Sequence, residues 1–114
     1  MVKLKSLTDV VPAFVAEVIA LLKERGRGLE AIEIAGASID RCTYSSSCRM
    51  RYIYLECPSA KVHHAKLAAP VAETISFYSE RGINVDVDHA GHVFGIEYEG
   101  KDEVVSLLKQ ANLL

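Results

Sequence analysis

Residues 83–99, INVDVDHAGHVFGIEYE, constrain this chain more than any other stretch. Ile83, Val85 and Val87 alternate with Asn84, Asp86 and Asp88. A period of two with apolar residues on one side marks a half-buried strand. Ala90-Gly91 reads as a tight turn, and HVFGIEYE returns as the partner of a hairpin. A lone hairpin is marginal in water, so the rest of the chain must pair with it and cover its apolar face.

A second strand is predicted at 49–56, RMRYIYLE, from its aromatic and β-branched content, with Pro58 stopping it. In LEAIEIAGASID, residues 29–40, Ile32 and Ile34 flank Glu33, which reads as a strand with one wet face. Residues 41–48, RCTYSSSC, are small and polar and read as a loop, the place expected to carry specificity. From Thr8 to Arg25 the spacing of Val11, Phe14, Val15, Val18, Ile19 and Leu22 predicts an amphipathic helix. Thr8 would cap it, Asp9 suits its positive end, Pro12 falls in its first turns, and Gly26 or Gly28 ends it.

Between 59 and 81, Ala60, His64, Leu67, Val71, Ile75 and Tyr78 fit one helical face, with Pro70 kinking the helix or starting a second one. A short strand over 61–67 competes with that reading, and helix is favoured. Gly82 closes the segment. Lys101 to Leu113 carries Val104, Val105, Leu107, Leu108 and Ala111 and predicts a closing helix.

The chain also resembles itself. VAEVIALLKERG at 15–26 aligns without gaps against VAETISFYSERG at 71–82, with seven of twelve positions identical. Two αββ copies, 8–57 and 70–99, with a closing helix at 101–113, would explain the match. The expected architecture is a single α+β domain over 1–114 in the order α-β-β-α-β-β-α. A four-stranded antiparallel sheet would carry packed helices, near a circularly permuted ferredoxin-like sandwich. That analogy is one of fold and assigns no function.

Composition narrows the classes of function. With 114 residues, half of them hydrophobic and a quarter charged, the chain can bury a core without disulfides or metal. No apolar run reaches the roughly 18 residues that a membrane span needs, and no signal peptide is read at the start. The expected location is the cytoplasm. Two Asn, one Gln and no Trp suggest a thermophilic source. The three cysteines, Cys42, Cys48 and Cys57, are an odd count that speaks against a secreted disulfide framework. A Cys42–Cys48 bridge stays open as a thermophile's exception.

The net charge of −2 is unevenly spread. Residues 41–66 hold five cations against one carboxylate, whereas 67–114 hold three against eight. The basic stretch contains Tyr44, Arg49, Arg51, Tyr52 and Tyr54, the residue types that stack on bases and meet phosphates. If Ile53 and Leu55 face the core, Tyr52 and Tyr54 lie on the open face, shared with Asp86, Asp88 and Glu97. Those carboxylates would repel phosphate, and cross-strand pairing of Arg49 and Arg51 with them is the plainer reading. Nucleic-acid binding is therefore possible but not favoured.

His89 and His92 flank the tight turn and are weak candidates for a metal, because zinc wants three or four ligands and no CxxC pair accompanies them. His64 fits a partly buried helix face. Cys48, beside Arg49 and Arg51, is a candidate thiolate that would need a base such as His63 or His64. Glycine-rich phosphate loops, HExxH and GxSxG are absent from the sequence, and no cofactor is implied. The expectation is a non-enzymatic binding or protein-interaction module acting as a homodimer, since an open sheet has edges and a second face to cover.

Overall fold

The structure, a computed structural model, describes residues 4–44, 50–56, 71–77 and 82–114. The elements run β1 (Lys5–Ser6), α1 (Leu7–Val10), α2 (Pro12–Glu24), α3 (Gly28–Ala35), β2 (Ser38–Tyr44), β3 (Met50–Leu55), β4 (Glu73–Phe77), β5 (Ile83–Val87), β6 (Val93–Glu99) and α4 (Asp102–Gln110). The strands form one six-stranded sheet in the order β1-β2-β3-β6-β5-β4, with every neighbouring pair antiparallel. The α+β class stands. Among the described residues the sheet has six strands rather than four, and within the two self-similar segments 73–77 is strand where the matching 17–21 is helix.

Three expectations change, each for a local reason. The predicted strand at 29–40 begins as a helix. Gly26, at φ +72, ends α2, and the helix formers Leu29, Glu30 and Ala31 open α3 two residues later. The alternation of Ile32, Glu33 and Ile34 is therefore not a strand period: Ile34 is buried and Ile32 points out. The strand follows at Ser38–Tyr44, so Arg41 to Tyr44 are strand and not loop.

The helix predicted over 59–81 meets a strand at Glu73–Phe77. There Ile75 and Phe77 turn inward while Glu73 and Thr74 stay exposed, and residues 57–70 and 78–81 lie outside the described residues. Finally, the first helix is broken at Val11. Pro12 has no N–H to continue α1, so it starts α2 at that helix's first position. Ser6, not Thr8, caps α1, and the Thr8 hydroxyl donates to the Ala35 carbonyl at 2.9 Å.

A single core cluster joins helices and sheet. Phe14, Val15, Val18 and Leu22 of α2, Ala31 and Ile34 of α3 and Val104 and Leu108 of α4 pack with Ile53, Leu55, Ile75, Phe77, Ile83, Val85, Ile96 and Tyr98 of the sheet. The helices thus cover one sheet face, and alternation turns the intervening residues of the strands to the other. Lys101, in the left-handed region at φ 58, starts α4, and its ammonium bonds Glu17 of α2 at 3.0 Å.

Candidate binding face

The register of the strands lays the second sheet face out as a grid. Arg41, Tyr54, Gly95, Asp86 and Thr74 are successive cross-strand partners from β2 through β3, β6 and β5 to β4. Thr43, Tyr52, Glu97, Asn84 and Ser76 form a second row beside them. All ten residues are polar or aromatic, apart from Gly95, and the grid carries one cation against two carboxylates.

Tyr52 links the two rows. Its phenol leans diagonally across Gly95 and donates to Asp86 Oδ2 at 2.7 Å. Gly95 makes this possible, because a Cβ there would stand 2.0 Å from the Tyr52 hydroxyl oxygen. A glycine inside a strand often marks such a close approach. The Thr74 hydroxyl donates to the other oxygen of Asp86 at 2.7 Å, and the Asn84 amide donates to Glu97 at 2.8 Å. The rings of Tyr52 and Tyr54 meet at 4.4 Å, and the Arg41 guanidinium lies 4.2 Å over Tyr54. Burial, and then the Asp86 hydrogen bond, push the Tyr52 hydroxyl far above its ordinary range, so it stays a donor at any physiological pH.

Arg51, expected to pair with the carboxylates of this face, and Asp88, expected on the face itself, are both engaged elsewhere. Arg51 alternates to the core side, where it is buried with 8% exposure. It donates to the Gly100 carbonyl at 2.7 Å, pairs with Asp102 at 3.5 Å and lies over the Tyr44 ring at 5.0 Å. Its Nε finds no hydrogen-bond partner among the described residues. Asp88 is buried as the cap of the β5–β6 turn and accepts from the Ala90 and His92 amides at 2.9 Å. Gly91, at φ +86, completes that turn. Tyr44 is exposed at the end of β2, on Arg51's side of the sheet. Arg49, Cys48, Cys57, His63 and His64 lie outside the described residues.

His92 does not pair with His89 in any described contact. Its Nδ1 bonds Glu33 Oε1 at 2.9 Å, and the other oxygen of Glu33 accepts from the Val93 amide at 3.1 Å. That carboxylate docks the β5–β6 turn onto α3 and holds the imidazole above its ordinary pKa. Among the described residues no group of three or more His, Cys, Asp and Glu side chains could hold a metal ion. Cys42 is a free thiol that burial pushes up to about 11, the opposite of what a nucleophile needs.

Arg41, Thr43, Gly95, Thr74, Ser76 and Asn84 are the members of the grid that sequence reasoning passed over. Gly95 carried a usable signal, a lone glycine inside a strand pattern. Arg41 was hidden by reading 41–48 as loop, and Thr74 by reading 59–81 as helix. Among the described residues no helix is long and apolar enough to cross a membrane. No family model, curated protein or solved structure matches this chain.

Proposed function

We propose that this chain is a non-enzymatic binding or protein-interaction module, working in the cytoplasm as a homodimer without a cofactor, and that its working surface is the grid of Arg41, Tyr54, Tyr52, Asp86, Asn84 and Glu97. One observation carries this reading: the side chains are already tied to one another before any partner arrives, through the Tyr52–Asp86–Thr74 bonds and the Arg41–Tyr54 stack. Side chains ordered in advance lose little entropy on binding. Tyrosine and arginine are also the residue types that concentrate binding energy at interfaces. The partner that suits this surface is polar and not strongly anionic, because Asp86 and Glu97 outnumber Arg41.

The test uses the double variant Arg41→Ala, Tyr54→Ala, which touches neither the core cluster nor the Tyr52–Asp86 bond. Cross-linked capture from an extract of the source cells is compared between wild type and variant. A saturable partner bound by wild type and weakened at least tenfold in the variant, at an unchanged melting temperature, supports the reading. Equal capture by both proteins contradicts it. A thymidine decamer serves as the nucleic-acid probe in the same series. Binding that falls steeply with salt and depends on Arg41 would favour the single-stranded nucleic-acid alternative instead.

A further inference from the structure

We infer that the outward face of α3 is the contact between two copies of this chain, packed antiparallel about a two-fold axis near Ile32; this rests on the homodimer reading above. Leu29 is 80% exposed and Ile32 71%, more than any other large apolar side chain among the described residues. They stand three positions apart, on one side of the helix. The other exposed positions of the segment are Gly28, Ala35 and Gly36. Every exposed residue from Gly28 to Gly36 is therefore apolar or glycine.

The charges that border this face are spent within the chain. Arg27 bonds Glu30 at 3.2 Å and also bonds Glu73 of β4. Glu33 is held by His92 and the Val93 amide. Among the described residues, every charged side chain from Arg27 to Glu33 already has a partner within the chain. A second copy offers the matching neutral surface by symmetry.

The order of residue sizes fits an isologous contact, in which each patch meets its own copy. With two α3 helices antiparallel and Ile32 facing Ile32, Leu29 of each copy falls over Ala35 and Gly36 of its mate. Large side chains then meet small ones. A Cβ at Gly28 would meet nothing within 4 Å, and one at Gly36 only the Ile32 carbonyl of its own helix at 3.8 Å, so there is room at both ends. Antiparallel helices also bring opposite dipole ends together.

Pairing through the described edge strands is obstructed. β1 is two residues long. On β4, Arg25 donates to the Ser76 carbonyl at 2.9 Å and stacks over Phe77 at 4.8 Å, while Arg27 holds Glu73. Short edges and edges fenced by charged side chains resist strand addition.

An eight-residue helix is about 12 Å long. Such a contact is smaller than the roughly 1,200–2,000 Å² of a tight complex, so the dimer should be weak. A dissociation constant in the range of roughly 10 μM to 1 mM is expected.

Sedimentation velocity of the full chain from about 5 μM to about 1 mM tests this range. It is run on wild type, on Leu29→Lys with Ile32→Lys, and on Tyr54→Ala. The inference expects wild type and Tyr54→Ala to move from monomer to dimer, and the double lysine variant to stay monomeric with its circular dichroism unchanged. Dimers in all three proteins, or dimers lost only in Tyr54→Ala, overturn the α3 contact while the homodimer reading survives. Wild type that stays monomeric throughout overturns both.

Discussion

Residues 15–26 and 71–82 share seven of twelve letters, yet where both are described they take different secondary structure. The first lies in α2 as far as Glu24; the second contains β4 at Glu73–Phe77. The shared letters Val, Ala, Glu and Ile are compatible with either state. The differing ones decide. Ala20, Leu21 and Lys23 of the helix stand where the second segment has Ser76, Phe77 and Ser79, exchanging strong helix formers for weaker ones and adding an aromatic. Neighbours complete the choice. Val15, Val18 and Leu22 meet the core along one helical stripe, whereas Ile75 and Phe77 meet it from alternate positions of a strand beside β5. The glycine that ends both segments adopts positive φ in each, +72 at Gly26 and +59 at Gly82. The shared letters therefore leave the state open, and tertiary pairing selects helix or strand.

The largest test compares the isoleucine common to both segments. Ile75 is 4% exposed and Ile19 is half-buried. Ile75→Ala should cost about 2–5 kcal/mol and Ile19→Ala about 1 kcal/mol by denaturant unfolding. Equal costs would mean that the two positions share one environment, and the comparison would fail. The shared alanine comes next. Ala16→Pro removes a bond inside α2 and should cost about 3 kcal/mol or more. Ala72→Pro loses only the amide bond to the Val87 carbonyl, at 2.9 Å, and should cost about 1 kcal/mol. A larger penalty at Ala72 would point to helix there.

Smaller effects refine the picture. Gly26→Ala and Gly82→Ala each place a Cβ in the left-handed region, at about 1–2 kcal/mol. Gly82→Ala should be the worse of the two by thermal unfolding, because its Cβ would also meet Glu99 Cβ at 3.1 Å. The shared glutamate gives the smallest signal. Glu17→Gln loosens Lys101 and Glu73→Gln leaves Arg27 with Glu30 alone, each for about 0.5 kcal/mol, and high salt should erase both differences.

Much of the fold was legible in strict patterns. The β5–β6 hairpin and its Gly91 turn, the strand at 50–55, the apolar stripe of α2 and the closing helix follow from period, turn chemistry and β-branching. The segments at 29–35 and 73–77 were not legible, because each is short and its apolar spacing satisfies both periods. Ile32, Glu33 and Ile34 alternate as in a strand yet sit on a helix. Val71 and Ile75 are four apart as on a helix, yet Ile75 sits in a strand. Those two exchanges hid part of the candidate face. Tyr52, Tyr54, Asp86 and Glu97 were visible from alternation alone. Arg41 and Thr74 became visible only once β2 and β4 were in place. Arg51 could be placed on the core side by the same alternation, but that a buried guanidinium would be met by the Gly100 carbonyl and Asp102 required the tertiary structure.

The strand at 73–77 brings Thr74 to Asp86, and Asp86 in turn holds Tyr52 across Gly95. This wiring is the central claim, because the proposed surface depends on its being built before any partner binds. The most direct measurement is a pH titration of the tyrosine Cζ signals by carbon NMR, with Tyr52→Phe assigning the resonance. Tyr52 should show no ionisation below about pH 11, since burial and Asp86 both disfavour the phenolate. In Gly95→Ala, where the added Cβ displaces the phenol, its titration should return toward the ordinary value near 10. A wild-type Tyr52 that ionises like a free phenol, unchanged by Gly95→Ala, would contradict the account.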